Sequence, residues 1–346
     1  MIEIDGSFGE GGGQIIRSSL ALSAVTGRPF HIANIRAGRK KPGLKLQHVT
    51  AVKAATRICN ARTEGAELQA SEITFEPQPI VGGHYDFKIS TAGSVTLVAQ
   101  TVLPALMLAE QPSTLTFEGG THNPWAPPFD FLQRSFLPQL NKFGPRVNVK
   151  LERPGFFPNG GGKFTMQIEP RVQLQKGLRL TERGSVFKPR VIAMVSRLPR
   201  HIGERECDTI RRKAGWNQNC CEVIEVQDPR GPGNVVMIEL VSDNVTAIFT
   251  GFGKQGIKAE EVGRSVYRQA KSYIESEYPV DEYLADQLMM PMGLAASYGH
   301  ASQFRTKMLS DHSTTHIEIL KTFLDIDVRV TENSADDVVV SFEPTI

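Results

Sequence analysis

The 346-residue sequence predicts an α/β (α+β) protein made of three copies of one α/β unit, with a small α/β domain inserted before the third. Three observations predict this. Helix-period and strand-period apolar patterns alternate along the chain. One order of elements recurs three times: a helix, a strand, a loop, a second helix and a closing strand. Between the second and third copies, roughly Gly177 to Ser276, the rhythm changes. The expected division is therefore 1–176 for copies one and two, 177–276 for the inserted domain and 277–346 for copy three. At 40% hydrophobic residues the chain can bury a sizeable core, and its length fits two domains or one domain with an insertion.

Copy one opens at Gly11-Gly12-Gly13, which leads into a helical pattern with apolar Ile15, Ile16, Leu20, Leu22 and Val25. Phe30-His31-Ile32 reads as a strand and Arg36 to Gly43 as a Gly/Pro loop. Val49, Val52, Ala55 and Cys59 mark one face of a second helix, and Ile73 to Pro77 closes the copy as a strand. Copy two repeats the order. Ala92-Gly93-Ser94 opens a helix to Leu108, Thr114 to Phe117 is a strand, and Gly119 to Pro128 is the loop. Phe131, Phe136, Leu140 and Phe143 mark its second helix, and Lys163 to Pro170 closes it with the same Glu-Pro ending. Copy three starts at Asp281-Glu282-Tyr283 with a helix expected to kink or stop at Pro291. Gln303 to Leu309 is its strand, Ser310 to Ser313 its loop, Ile317 to Phe323 its helix and Asp336 to Glu343 its last strand. The inserted stretch reads strand (Val191–Val195), helix (Ile202–Ala214), three strands (Val223–Val226, Val235–Val241, Val245–Thr250) and helix (Ala259–Ile274).

Composition bounds the function. Thirty-nine Lys and Arg against 37 Asp and Glu leave a formal charge of +2, which argues against non-specific gripping of long phosphate stretches but permits a local basic pocket. The four cysteines form no C-x-x-C pair and no zinc spacing, so a reduced cytoplasmic setting is expected rather than a disulfide framework. The N-terminal residues show no secretory pattern, and the most apolar stretch, Val95 to Ala109, is broken and too short to span a bilayer. No membrane partner is expected.

Related copies should bring their loops together, so Arg36–Gly43, Thr121–Pro128 and Ser310–Ser313 are where a site is sought. Gly9-Glu10-Gly11-Gly12-Gly13-Gln14 allows close approach of a ligand and ends on a helix N-terminus, which favours an anion. Its spacing fits neither the dinucleotide fingerprint nor the P-loop, and a plain loop-to-helix turn is the competing reading. Glu10 is a candidate ligand for a divalent cation. Arg36, Arg39, Lys40, Lys41 and Lys45 crowd five positive charges into ten residues, with Gln47 and His48 following. Such a loop suits a terminal phosphate, or is simply a solvated charge run. Arg17 lies one turn beyond the Gly loop. His312 sits where a helix begins, with Asp311, Ser313 and Thr314 around it. There it is either a nucleophile able to form a phosphoramidate or a structural helix-end histidine. His316, four residues on, raises a zinc reading, but the Glu of H-E-x-x-H and an obvious third ligand are missing.

Taken together, these motifs resemble the RNA 3′-terminal phosphate cyclase family. The resemblance rests on Gly9 to Ser18, on Arg36-Ala37-Gly38-Arg39 with Pro42-Gly43-Leu44, and on Gln47-His48. It rests also on Gly155-Phe156-Phe157-Pro158-Asn159-Gly160-Gly161-Gly162 and on Glu282 to Gln287. It runs through nearly the whole chain and is weaker in the insertion. It implies three units of the RNA cyclase and enolpyruvyl transferase type. The implied activity is ATP-dependent conversion of an RNA 3′-phosphate into a 2′,3′-cyclic phosphodiester. The implied route is an adenylylated histidine at His312, then an RNA–AMP anhydride that the 2′-hydroxyl closes with release of AMP. ATP is the implied co-substrate, with Mg²⁺ or Mn²⁺, and an RNA with a 3′-phosphate end is the implied partner.

Position by position, the resemblance makes Glu10 a metal-associated carboxylate. It puts Gln100, Pro127, Tyr283, Leu284, Ala285, Asp286 and Gln287 around ATP, and gives Arg17, Arg36, Arg39, Gln47 and His48 phosphate handling or activity. After His312 the chain reads Ser313-Thr314-Thr315-His316, where more apolar residues and often a final Asn are expected. The main rival is a catalytically inactive cyclase-like protein acting in ribosome assembly, which would lack the nucleophile. Enolpyruvyl transfer is a weaker rival because it follows from fold alone, and no stacked aromatic platform is evident in the charged loops to favour a bare RNA-binding module. The oligomeric state is expected to be monomer or homodimer.

Overall fold

Strands of the main body bury every second residue, and several of its helices are apolar nearly all round, so sheets lie outside and helices inside. The structure, a computed structural model, describes residues 1–185, 187–334 and 336–345. The first unit comprises β1 (Ile2–Asp5), α1 (Gly13–Thr26), β2 (Phe30–Ala33), α2 (Leu46–Ile58), β3 (Arg62–Glu64) and β4 (Ile73–Glu76). Its sheet has the order β1-β2-β4-β3, with β1 and β2 parallel and the other pairs antiparallel.

The second unit is β5 (His84–Lys88), α3 (Val95–Leu106), β6 (Ser113–Gly119), an irregular helical run, β7 (Arg146–Arg153) and β8 (Gly162–Glu169). The irregular run joins α4 (Phe129–Phe131), a π-helical turn (Leu132–Phe136), α5 (Leu137–Leu140) and a 3-10 turn (Asn141–Phe143). The third unit begins at β9 (Arg179–Leu180), and the chain then leaves for the insertion: β10 (Lys188–Ser196), α6 (His201–Ala214), β11 (Cys221–Glu225), β12 (Gly233–Val241), β13 (Thr246–Phe252) and α7 (Ala259–Glu275). It returns with α8 (Glu282–Ser297), β14 (Ser302–Thr306), α9 (Asp311–Phe323), β15 (Ile326–Ser334) and β16 (Asp337–Pro344). The second and third sheets, β5-β6-β8-β7 and β9-β14-β16-β15, repeat the topology of the first, strand for strand. The repeat is therefore β-α-β-α-β-β, with one core in which α1 packs on α3 and α9, α2 on α3, and α8 on α9.

Three expectations need correction, the first in one of its two alternatives. The helix does not stop at Pro291: α8 continues to Ser297. Pro104 occupies the same tenth place in α3, so in both helices surrounding apolar packing overrides the lost backbone donor. The second helix of copy two is broken into α, π and 3-10 turns rather than continuous. The start of the insertion moves past Leu180, because Arg179 and Leu180 pair with Gln303 and Phe304 in the third sheet.

The insertion is a four-stranded sheet, β11-β10-β12-β13, covered on one face by α6 and α7. Its other face, with Ile192, Met194, Val235, Met237 and Ile248, closes over Phe156 of the main body. Glu239 on β12, itself buried, accepts from Arg134 of the π turn at 2.9 Å. The insertion is thus fastened to the second unit next to the Gly155–Gly162 stretch. No helix among the described residues is long and apolar enough to cross a membrane.

Candidate active site

The repeat brings the starts of α1, α8 and α9 and the loops before α2 and α4 to one mouth, with β13 and α7 of the insertion as a further wall. The resulting cleft has a volume of about 1190 Å³, more than one nucleotide-sized ligand fills. Glu10, Arg17, Arg36, Arg39, Gln47, His48, Pro127, Tyr283, Asp286, Gln287 and His312 all line it.

At the floor, Gly12 and Gly13 are there because nothing larger fits. A Cβ on Gly12 would strike the Glu10 carboxylate, and one on Gly13 would strike the His48 ring. The Glu10 backbone N–H donates to Thr315 Oγ1 at 3.1 Å, and that hydroxyl donates to Asp311 O at 2.6 Å. The first turn of α9 and the Gly loop are thereby tied together. Glu10 Oε1 pairs with Arg39 and lies 3.6 Å from His312 Nε2, while Oε2 is buried without a hydrogen-bond partner among the described residues. Arg39 also donates to Glu10 O at 2.8 Å.

His312 is the second residue of α9, whose cap is Ser310: the Ser310 hydroxyl accepts from the Ser313 N–H. The ring is about half exposed. Partial burial lowers its pKa, and the charges of Arg17 and Arg39 lower it further, against Asp286 and Asp311. A helix N-terminus also disfavours imidazolium. The neutral ring, with a free nitrogen lone pair, is the favoured form.

Behind it lies a second polar layer. Asp286 Oδ1 is 3.3 Å from His316 Nδ1 and 3.4 Å from Gln14 Nε2, and Gln14 Oε1 accepts from Arg17 at 2.8 Å. A proton on His316 Nδ1 lets that ring donate to Asp286 and leaves the Gln14 amide to serve Asp286 and Ser18. Burial opposes ionisation of Asp286, but the His316 hydrogen bond, with Arg17 nearby, outweighs it and holds the carboxyl below its ordinary pKa, so it stays ionised. His316 therefore braces the site, and among the described residues no group of three or more His, Cys, Asp or Glu could hold a metal ion. The residues that depart from the apolar expectation, Thr315 and His316, are the two that make these ties.

On the cationic side, burial pushes Arg17 down to about 10, still charged at neutral pH. His48 is pushed down to about 3 by burial and by Arg17, Arg36 and Lys45. Its Nδ1 accepts from the Lys45 N–H at 3.1 Å, so the neutral ring carries its proton on Nε2, beside Gly13. Arg36, at φ +55°, donates from Nη1 to the carbonyls of Lys41 and Gly43, each at 2.8 Å, and so holds its own loop in shape. Gln47 Oε1 accepts from the Ser94 N–H at 3.3 Å and joins the first unit to the second.

Not every expected nucleotide position faces the cleft. Tyr283, Asp286 and Gln287, at i, i+3 and i+4, do; Leu284 and Ala285 are buried in the core. The Tyr283 and Leu284 N–H groups are taken by Asp281 Oδ1 at 2.9 and 3.2 Å. Gln100 lines a small adjoining cavity of about 50 Å³, with Gln14, Arg17, Asp286 and His316. Lys40 and Lys41 of the cationic loop line the cleft as well, and the sequence reading missed Trp125 beside them, together with Thr250, Phe252 and Gln269 from the insertion. A Trp within a Gly/Pro loop was the available signal for the first; nothing in the sequence announced the last three.

A family model described as RNA 3′-terminal phosphate cyclase matches residues 8–330. A protein named RNA 3′-terminal phosphate cyclase from Koribacter versatilis is 47% identical over 332 residues, covering 96% of this chain and 92% of that protein. Proteins of the same name from Ectopseudomonas mendocina and Pseudomonas fluorescens are 42% identical over 331 residues (96% and 95% covered) and 44% over 329 (95% and 94%). Among solved structures, an enolpyruvyl transferase from Streptomyces tendae aligns with TM-score 0.39 at 11% identity, over 98% of this chain and 48% of that one.

Proposed function

Because the chain belongs to the RNA 3′-terminal phosphate cyclase family, we propose that its cleft uses ATP to close an RNA 3′-phosphate into a 2′,3′-cyclic phosphodiester, with His312 as the group that carries AMP. The enzyme is a nucleotide-consuming ligase. The observation that carries the assignment of His312 is its position: a neutral, half-exposed imidazole at a helix N-terminus, in a cleft walled by cations.

Its nitrogen lone pair attacks the α-phosphorus of ATP, the bond to the β-phosphate oxygen breaks, and pyrophosphate leaves. An oxygen of the RNA 3′-phosphate then attacks the same phosphorus and the imidazole departs, leaving an RNA–AMP anhydride. The 2′-hydroxyl loses its proton, attacks the 3′-phosphorus and expels AMP. The final attack is intramolecular, between groups one bond apart on the ribose, and gains the advantage of proximity. Arg17 and Arg39 stand where charge builds on the phosphoryl oxygens, and His48 Nε2–H is a neutral donor beside them. Pro127 and the half-exposed Tyr283 offer flat surfaces for the adenine. Arg36 and Gln47 act by fixing the phosphate loop and its junction with the second unit.

The unpartnered, buried Oε2 of Glu10 fits a divalent cation that takes its other ligands from water and phosphate. Bound there, Mg²⁺ or Mn²⁺ would neutralise phosphate charge. The inactive, ribosome-assembly reading is not favoured, since His312, Glu10 and Arg39 stand together. Incubation with ATP labelled at the α-phosphate is expected to label the protein through an acid-labile, alkali-stable bond. Labelling that persists in His312→Ala would remove the proposed nucleophile.

A further inference from the structure

We propose that Trp125 and Phe157 form a stacking subsite for a nucleobase of the single-stranded RNA at its 3′ end, a proposal that rests on the reading of the cleft above. Two large rings stand in solvent at its rim: Trp125 is 70% exposed and Phe157 51%. Their centroids are 4.9 Å apart and their planes perpendicular, so edge meets face and the exposed indole keeps a surface open. An apolar core would not leave them there.

The backbone under Trp125 is tied down. The Trp125 backbone N–H donates to Asn123 Oδ1 at 3.3 Å, and buried Asn123 donates to Ala92 O at 3.3 Å. Pro124, Pro127 and Pro128 stiffen the same loop. Phe157 follows Phe156, which is locked under the insertion sheet. A ring carried on a fixed backbone loses less entropy on stacking than one on a free loop.

Charge identifies the occupant. The wall that contains Trp125 also contains Arg39, Lys40, Lys41 and Lys45, a surface for phosphates, whereas Tyr283 and Pro127 are already assigned to the adenine of ATP. A polyanion that carries flat rings and enters a cationic cleft with an open indole at its rim is single-stranded nucleic acid. Every base has a π face, and the two aromatic side chains offer only the single indole N–H to read base edges, so the subsite discriminates weakly among the four bases.

The test uses the full-length protein and a 3′-phosphorylated oligoribonucleotide. Trp125→Ala is expected to raise the KM for RNA by about 5- to 100-fold, and Trp125→Phe to restore most of the loss. Self-labelling with α-labelled ATP, scored in the same samples, reports on folding and on the nucleotide site. In Trp216→Phe, which leaves Trp125 as the only tryptophan, fluorescence should be quenched by the RNA far more than by ATP. An unchanged KM with normal self-labelling, or quenching by ATP alone, overturns the stacking subsite and leaves the cleft reading intact. Absence of self-labelling in the unmodified protein overturns the cleft reading itself, and the subsite with it.

Discussion

His312 is useful because it is neither buried nor free. Water still reaches the ring, yet partial burial and the nearby guanidinium groups hold its pKa below the ordinary histidine value of about 6.5. In the proposed reaction the neutral form is the nucleophile, so lowering the pKa preserves it as the solution is acidified. The rate of self-labelling with ATP is therefore expected to fall on the acid side with a midpoint below about 6.5. A midpoint above that value would mean the ring is stabilised as imidazolium. At this scale the sequence was legible where local chemistry is strong: a helix start at His312, a glycine run before a helix, cations packed in one loop; the cap itself is Ser310, not the Asp311, Ser313 or Thr314 read for it. It was less legible where only direction matters. The resemblance grouped Leu284 and Ala285 with Tyr283, Asp286 and Gln287, but a helix turns their side chains away from the cleft. Nor does a sequence say that Arg36 spends its donors on its own loop, or that His316 braces Asp286, since both depend on partners the fold supplies.

Among the elements, the inner strands of all three units were read correctly, and β1, β3, β5, β7, β9 and β15 were all missed. Those six are the edges of the three units' sheets; the insertion's edge strands, β11 and β13, were read. Edge strands are short or charged, which blunts the alternation used to find them; Arg62–Glu64 and Arg179–Leu180 have almost no apolar period. The irregular run of the second unit was read as one helix because its phenylalanines keep roughly helical spacing. The π turn within it carries Arg134 to Glu239 on the insertion, a contact no local pattern encodes. Inside the insertion, α6 buries Glu206 completely, with one oxygen accepting from Asn234 at 2.9 Å and the other unpartnered. Burial raises its pKa to about 7 from 4.5. A carboxyl raised on folding contributes most below its unfolded value and loses that contribution as the pH climbs from about 4.5 through 7. Glu206→Gln is accordingly expected to stabilise the protein at pH 8 by roughly 1–3 kcal/mol and to change little at pH 5, as read by urea or thermal unfolding. A loss of stability at pH 8 would contradict this.

For the molecule as a whole, a net charge of +2 and one cationic mouth imply a grip on the end of a strand rather than along it. With two to four phosphates engaged, log KM for RNA should rise with log salt at a slope of roughly 1.5 to 3. A slope steeper than about 5 would reveal a longer track than the cleft provides. Threefold repetition itself was legible, because the same order of helices and loops recurs; the split of the third unit was not, since two residues at β9 leave no trace in a periodicity search. That split has a consequence during synthesis. Arg179 must wait for Gln303, with the whole insertion made in between, before its sheet can close. The first two units hold all their strands early, but the ring that would accept adenylate lies in the last unit to leave the ribosome. An unfinished nascent chain therefore carries the Gly loop and the Arg loop without the histidine at the start of α9.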